Sequence, residues 1–464
     1  MGRGHSLSIM RLDERNSTVP LVDLTGATGH KTFTVEDGAI LDVTRVLNPL
    51  PNNRYLLVSG LDPASNVTVG HITYLHPDSY TKAPVFENNN TELWLDELVI
   101  PDPFDPETAP PNLVESEDCA SHWLNHTANG LALSPYEVLA LRRDFHSGPP
   151  EAAASMALAG LEIHGTAVRA AQAGFRGRGV ESAYQGPWRL WSNYLAANNR
   201  VRDRDQYSGY TINTSGFLFG AVWEASPLWA LGGYAGYSKS DTEFRSLSAD
   251  ADSRAVHGGL QASFRHPSGF KATADGSLSR QSVDLARYPG HLGTNRGHFD
   301  QTAFGADLEL AYDFQLPERT RLTPAVALAV DWMQQDAFAE KGPVMAATVD
   351  DLSGRCVESS LGATVEHDII TDGGLVTPGL GLNWKHRYTG RQLETAYAFV
   401  DNGNDYACTV KSREMGRDSL ETSAYIDAAI DGLTADWSVR GGYTLEVGEK
   451  AVEHSFYAGI AVTF

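Results

Sequence analysis

From Gly186 onward the chain repeats one unit: about 10–17 residues alternating between apolar and polar, then a turn. The clearest case is Phe304–Phe314. Phe304, Ala306, Leu308, Leu310, Tyr312 and Phe314 fall on one face, and Gly305, Asp307, Glu309, Ala311 and Asp313 on the other. Strands of soluble sandwiches also alternate, but usually over about 5–6 residues. A strand crossing a bilayer at a tilt needs about 9–11. The same split recurs in Leu322–Trp332, in Leu420–Ile430 and in Ala435–Leu445, where Trp437, Val439 and Tyr443 oppose Asp436, Ser438, Arg440 and Thr444. One apolar face and one charged face fit strands with lipid outside and a wet lumen inside.

Twelve such strands are expected, near residues 186–197, 207–225, 228–244, 253–265, 269–285, 298–315, 320–335, 354–368, 374–388, 416–430, 433–446 and 452–464. The connections between them alternate in length. Long ones, such as Asp336–Ser353 and Thr389–Met415, follow odd-numbered strands. Short ones, such as Ser226–Pro227 and Asp431–Gly432, follow even-numbered strands. Membrane barrels have this parity, and an even strand count brings both barrel ends to one side. Trp188, Trp191, Trp223, Trp229, Trp332 and Trp384 are candidates for interfacial girdles. The inward rows place Asp307, Glu309, Glu366, Glu421, Asp427 and Asp436 in the lumen.

No stretch approaches the roughly 18 apolar residues of a membrane helix, a test that does not detect barrels. At 42% hydrophobic and 20% charged residues the chain is not disordered as a whole. A net charge of −22 argues against a nucleic-acid partner. The start, MGRGHSLSIMRLDERNS, has no apolar core of the kind a secretory signal needs. Residues 1–16 are therefore expected to be a non-native or disordered start, left by truncation or engineering.

Residues 17–100 read as short strands, either the last rungs of a parallel β-helix or a small sandwich, which periodicity does not separate. Residues 101–150 form an acidic, Pro-rich linker with one short helix. Pro149-Pro150 then stops the chain, and residues 151–183 hold an Ala-rich helix. Its acid is at the start, and Arg169, Arg176 and Arg178 lie toward its end, in keeping with the helix dipole. About 26 residues at 1.5 Å each span about 39 Å, enough to thread a bilayer-high pore. A slim, mildly cationic rod suits a lumen lined with acids, and a helix packed outside is the alternative. Residues 184–464 are the barrel. The expected fold is thus all-β, a 12-stranded antiparallel transmembrane barrel with a lumenal α-helix, preceded by a small β-rich, β-helix-like segment.

The order of segments resembles the C-terminal part of type V autotransporters. The resemblance runs from about residue 30 to the end. It is carried by RYLLVSG, ELWLDELVI, ALAGLEIHGTAVRAAQAGFRGR, GPWRLWSNYLA, GFLFGAVWEA, LWALGGYAGYSKSDTEF and the final FYAGIAVTF. It implies an outer-membrane location in a Gram-negative cell, a passenger end exposed at the surface, and a barrel that anchors and exports its own N-terminal passenger. It also implies a helix retained as a plug through Arg169, Arg176 and Arg178. The outward row Phe456, Ile460, Val462 and Phe464 would be a signal for the barrel-assembly machinery. The implied partners are outer-membrane lipid, that machinery and the passenger, around a monomeric barrel. Passengers in the family are longer, so much of this one is expected to be absent. Members that cut themselves in the helix do so at an Asn-Asn pair; this helix has none, and cleavage by that route is not expected.

No catalytic set stands out. Gly236-Tyr-Ser-Lys-Ser is not a nucleophile elbow, no H-e-x-x-H spacing occurs, and neither a metal nor a cofactor is expected. Cys356 and Cys408 flank adjacent long loops; a disulfide between them and two free thiols are both open. The rival readings are a general outer-membrane pore with an unrelated extracellular domain, and a barrel enzyme with its site on the loops.

Overall fold

The computed structural model describes residues 150–176, 187–203, 207–288, 293–343, 345–372, 374–400, 407–430 and 436–464, with short stretches ahead of them. Helix α1 spans Glu151–Arg176. Twelve long strands follow: β1 Trp188–Val201, β2 Tyr210–Ser226, β3 Trp229–Phe244, β4 Ala249–Arg265, β5 Phe270–Arg287 and β6 Asn295–Tyr312. The rest are β7 Thr320–Gln335, β8 Leu352–His367, β9 Gly374–Thr389, β10 Asp418–Ile430, β11 Asp436–Gly448 and β12 Ala451–Thr463. Each pairs antiparallel with the next, and β1 pairs with β12 from Arg189 opposite Thr463 to Val201 opposite Ala451. The barrel is therefore closed, which leaves no strand edge unpaired in lipid.

Alternation decides which side each residue faces. Phe304 is 50% exposed and Leu308 49%, on the outside, while Asp307 and Glu309 at the alternate positions turn inward. The outward rows run through Val326, Leu328 and Trp332 on β7 and through Leu380, Leu382 and Trp384 on β9. Such a belt is stable only against lipid. Trp188 stacks on Trp223 at 6.2 Å and Trp229 contacts Phe264 at 5.0 Å, making part of an aromatic girdle at the short-turn end. Trp191 departs from the expected girdle. Because Trp188, Leu190 and Tyr194 point outward, Trp191 points inward, where it is buried.

The short turns have local causes. Between β6 and β7, Glu318 (φ 59°) and Arg319 (φ 58°) are both left-handed, the geometry of a tight type I′ hairpin. Between β4 and β5, Gly269 takes φ 101°, where a side chain would strain the backbone. At the other end, the loops after β7 and β9 build a sheet of their own. Phe338–Ala339 pairs with Ala347–Val349, which pairs with Glu394–Phe399, which pairs with Cys408–Lys411. Val349, Tyr397, Phe399 and Val410 form its buried side. Arg287, at the end of β5, donates from Nε to Glu340 Oε1 at 2.6 Å and ties this sheet to the barrel wall.

Neither of the two alternatives left open for Cys356 and Cys408 holds. Cys356 is a free, buried thiol on the inward face of β8, whereas Cys408 is disulfide-bonded. Nearness in loop order did not decide the matter, because strand parity turns Cys356 into the lumen. Cys119 lies outside the described residues.

Ahead of the barrel, several short strands pair in parallel. Ser6 lies opposite Ile40 and Ile40 opposite Thr73; Thr34 lies opposite Asn66, and Val22 opposite Val58. Parallel partners thirty-odd residues apart favour successive coils of a β-helix over a sandwich. Ser6–Ser8 joins this pairing. Val85–Glu87 and Glu92–Leu95 pair antiparallel, and Glu92–Leu95 also pairs antiparallel with Tyr55–Ser59.

Candidate functional site in the barrel lumen

Helix α1 lies inside the barrel, against β1 through β8 and β12. Small residues permit this. Ala152, Ala153, Ala154, Ala157, Ala159 and Ala171 are fully buried. Gly174 shows how tight the fit is. A Cβ there would lie 2.5 Å from the ring of Trp191, whose other side abuts Gly220 at 2.3 Å from the equivalent position. Trp191, Phe175, Leu195, Leu218 and Val222 form an apolar core between the last turns of the helix and the wall.

Polar contacts fix the helix along its length. At its start, Ser208 N donates to Glu151 Oε1 at 2.9 Å and Arg413 N donates to Ser155 Oγ at 3.2 Å. Both come from the loop end of the barrel. In the middle, Gln281 Nε2 donates to the Gly160 carbonyl at 2.8 Å. Glu162 accepts from Asn199 and from Arg387, each at 3.2 Å. His164 Nδ1 lies 2.6 Å from Ser279 Oγ, which lies 2.6 Å from His257 Nδ1. Arg169 and Thr166 both donate to Glu453 on β12.

The last turn leaves backbone carbonyls without helical partners. The wall supplies donors for two of them, Arg440 Nη1 to Ala173 O at 3.0 Å and Arg189 to Phe175 O, and one turn earlier Asn193 Nδ2 donates to Ala170 O at 2.7 Å. Two of these donors are cations at the negative end of the helix dipole. Arg176 completes the set with Glu309 at 2.8 Å.

The sequence-derived residues sort unevenly. Arg169 and Arg176 bind the wall; Arg178 lies outside the described residues. Of the six expected lumenal acids, Glu309 meets the helix. Glu421 pairs with Lys385 at 2.6 Å, and Glu366 pairs with Arg321 and accepts from Tyr425 Oη at 2.6 Å. Asp427 stands opposite Arg440 in register, and Asp436 is buried at the start of β11. Asp307 stands opposite Asp275 on β5. The simple picture of a cationic rod in an acidic tube is thus incomplete. The wall carries its own cations, Arg189, Arg321, Lys385, Arg387 and Arg440, and further acids, Glu358, Glu446 and Glu453. Inward parity on β1, β7, β8, β9, β11 and β12 was the signal that could have found them.

A polar cavity of about 40 Å³ remains beside the helix, lined by Glu162, Asn199, Glu358, Arg387, Glu446 and Glu453. Near it, at the loop end, Glu414 is held by Lys450 and Arg391. The hydrogen bond from Lys450 holds its carboxyl below the ordinary glutamate range. Among the described residues, no group of three or more His, Cys, Asp or Glu is placed to hold a metal ion. The outward row of β12 exposes Phe456, Ile460 and Phe464, with Val462 partly covered.

The comparisons with known proteins agree with this architecture. The family model described as the autotransporter β-domain matches residues 190–444. The translocator domain of the autotransporter NalP from Neisseria meningitidis superposes with a TM-score of 0.54 at 16% identity, over 67% of this chain and 98% of that one. An extracellular serine protease from Serratia marcescens is 24% identical over 277 residues, 59% of this chain and 26% of that protein. The chain thus spans about a quarter of the length of the curated relatives it matches. The barrel is an outer-membrane translocator, a transport domain and not a catalytic one. By the extent of the family match, the chain belongs to the autotransporter β-domain family.

Proposed function

We propose that the barrel carries its N-terminal passenger to the cell surface and then keeps α1 in the lumen as a plug. The observation that supports this most is the seating of α1: its polar contacts with the wall run from Ser208 at Glu151 to Arg189 at Phe175. A general diffusion pore has no use for a helix held so fully in its lumen. Arg169 and Arg176 serve as the helix's own anchors. The wall residues Arg387, Arg440 and Arg189 serve as their counterparts. Glu309 and Glu453 receive the helix, while Glu366, Glu421, Asp427 and Asp436 balance the cations of the wall.

In this reading residues 17–100 are the C-terminal end of the passenger and 101–150 the linker to the helix. The helix start lies at the loop end, so the chain ahead of it emerges on the loop side. A tag ahead of residue 17 should be cut by protease added to intact cells. Protection until the cells are broken would sink the proposal.

The barrel is monomeric in this reading, and the outward row Phe456, Ile460, Val462 and Phe464 on β12 docks on the assembly machinery. Replacing Phe456 and Phe464 by Ser should slow insertion in cells and leave folding in detergent unchanged. Equal insertion rates would remove that role. The protease activity in the name of the Serratia relative belongs to a protein about four times as long as the matched stretch. No catalytic role is proposed for the lumen.

A further inference from the structure

Three exposed cations stand side by side on the outer wall, toward the loop end: Lys239 on β3, Arg254 on β4 and Arg280 on β5. Lys239 is directly opposite Arg254. Arg254 is opposite Ser282, and Arg280 lies two residues along from Ser282 on the same face. Direct and diagonal neighbours of this kind are about 5–8 Å apart, within reach of one headgroup for long side chains. Arg280 Nη2 pairs with Asp300 at 2.8 Å, yet the side chain stays 73% exposed.

Their height on the wall gives them meaning. Just below them the outward row is apolar: Tyr237, Val256, Leu278 and Phe304. Just above them, Asp241, Asp252 and Asp284 lie opposite one another in succession. The cations therefore form one layer at the upper edge of the lipid-facing band. Across the barrel, β11 and β12 carry Leu445, Val447, Val452 and His454 toward the same end. Like charges placed side by side repel, and the protein's own counter-charges, Asp300 beside Arg280 and the acids above, lie on the loop side, while the row toward the bilayer carries none. A bilayer edge supplies one when its headgroups carry phosphates.

We infer that Lys239, Arg254 and Arg280 form a binding site for the phosphates of a phosphorylated outer-leaflet glycolipid, whose acyl chains lie on Tyr237, Val256, Leu278 and Phe304. The inference rests on the outer-membrane placement of the barrel. Arginine and lysine at such a boundary bind phosphate through charge-assisted hydrogen bonds, while the apolar row below takes the chains. The site would fix the rotation of the barrel in the outer leaflet and keep lipid on the β3–β5 sector.

The test uses the full chain folded into phosphatidylcholine nanodiscs, with bisphosphorylated and dephosphorylated lipid A as probes and bound lipid counted by native mass spectrometry. Each cation removed should weaken binding roughly fivefold, so Lys239→Gln/Arg254→Gln/Arg280→Gln should lose roughly a hundredfold. Arg254→Gln alone should lose roughly fivefold, which guards against a triple variant that does not fold. Dephosphorylated lipid A should bind the unaltered chain no better than the phosphorylated form binds the triple variant. Arg200→Gln, an outward cation outside the trio, should change nothing. Equal binding by the unaltered and triple-variant chains, or indifference to phosphate, would overturn the inference. Folded-barrel gel mobility in the same samples separates the two failures: a folded barrel without phosphate preference overturns only this site, and a chain that does not fold into the bilayer overturns the membrane reading.

Discussion

The two faces of the same strands differ in kind. Outside, neighbouring strands repeat one solution: Leu308, Val326, Leu361, Leu380 and Ile426 are interchangeable members of an apolar belt. Inside, many positions have a partner of their own. Lys385 lies 2.6 Å from Glu421 and 2.7 Å from Glu446, Arg387 reaches Glu162 of the helix, and Trp191 fits between two glycines. The outer face answers to a solvent, so it needs only the right chemistry. The inner face answers to one helix, so it needs the right shape and the right charge at each place. Substitutions should therefore act through depth in the membrane on one face and through individual contacts on the other.

The largest effect is expected inside. Arg387→Met leaves Glu162 and Glu358 facing each other, 87% and 77% buried, without the guanidinium between them. Breaking a buried pair from one side costs about 3–5 kcal/mol. Denaturant unfolding should show that loss, with α1 becoming sensitive to protease. Unchanged protection would mean that charge does not seat the helix. Outside, Leu328→Arg puts a cation in the apolar belt, opposite Leu308, and should cost about 2–4 kcal/mol in a bilayer. The same variant in detergent, where headgroups can wrap the site, should lose less. Equal loss in both would undo the lipid-facing assignment of that row.

Gly174→Ala is smaller because two effects oppose. Alanine favours the helix by about 1 kcal/mol, and overpacking against Trp191 costs about 1–3. The net should be a loss of about 1 kcal/mol with a shift in Trp191 emission. A gain in stability would show that the Trp191 slot has slack. The smallest effect belongs to Glu414. Its folded pKa lies below the ordinary value, so its contribution is present above the unfolded value near 4.3 and is lost as pH falls through the folded value. Hydrogen exchange at Arg391 and Lys450 should rise below about pH 4, and Glu414→Gln should abolish that step. A step that survives the substitution belongs to another group.

The same contrast explains how much the sequence could disclose. Twelve strands and their inward and outward rows were legible because lipid imposes one rule on every strand; Phe304–Phe314 is readable without its neighbours. Parity alone also places Trp191 inside, since Trp188, Leu190 and Tyr194 point out. The helix was legible as a slim rod. Its partners were not, because Arg387 meets Glu162 and Arg440 meets Ala173 O only after the barrel closes. The sheet made by the long loops was hidden for a related reason. Phe338–Ala339, Ala347–Val349 and Cys408–Lys411 are too short to show a period, and their pairing joins two loops far apart in the chain. Cys356 and Cys408 were considered together because their loops are neighbours, yet one faces the lumen and the other lies in the loop sheet.

The central claim is that α1 closes the pore, and the most direct measurement is single-channel conductance in planar bilayers for the full chain and for the chain lacking residues 151–176. The full chain should show low conductance, and the deletion should raise it severalfold while the barrel keeps its folded gel mobility. A folded deletion variant with unchanged conductance would contradict the account.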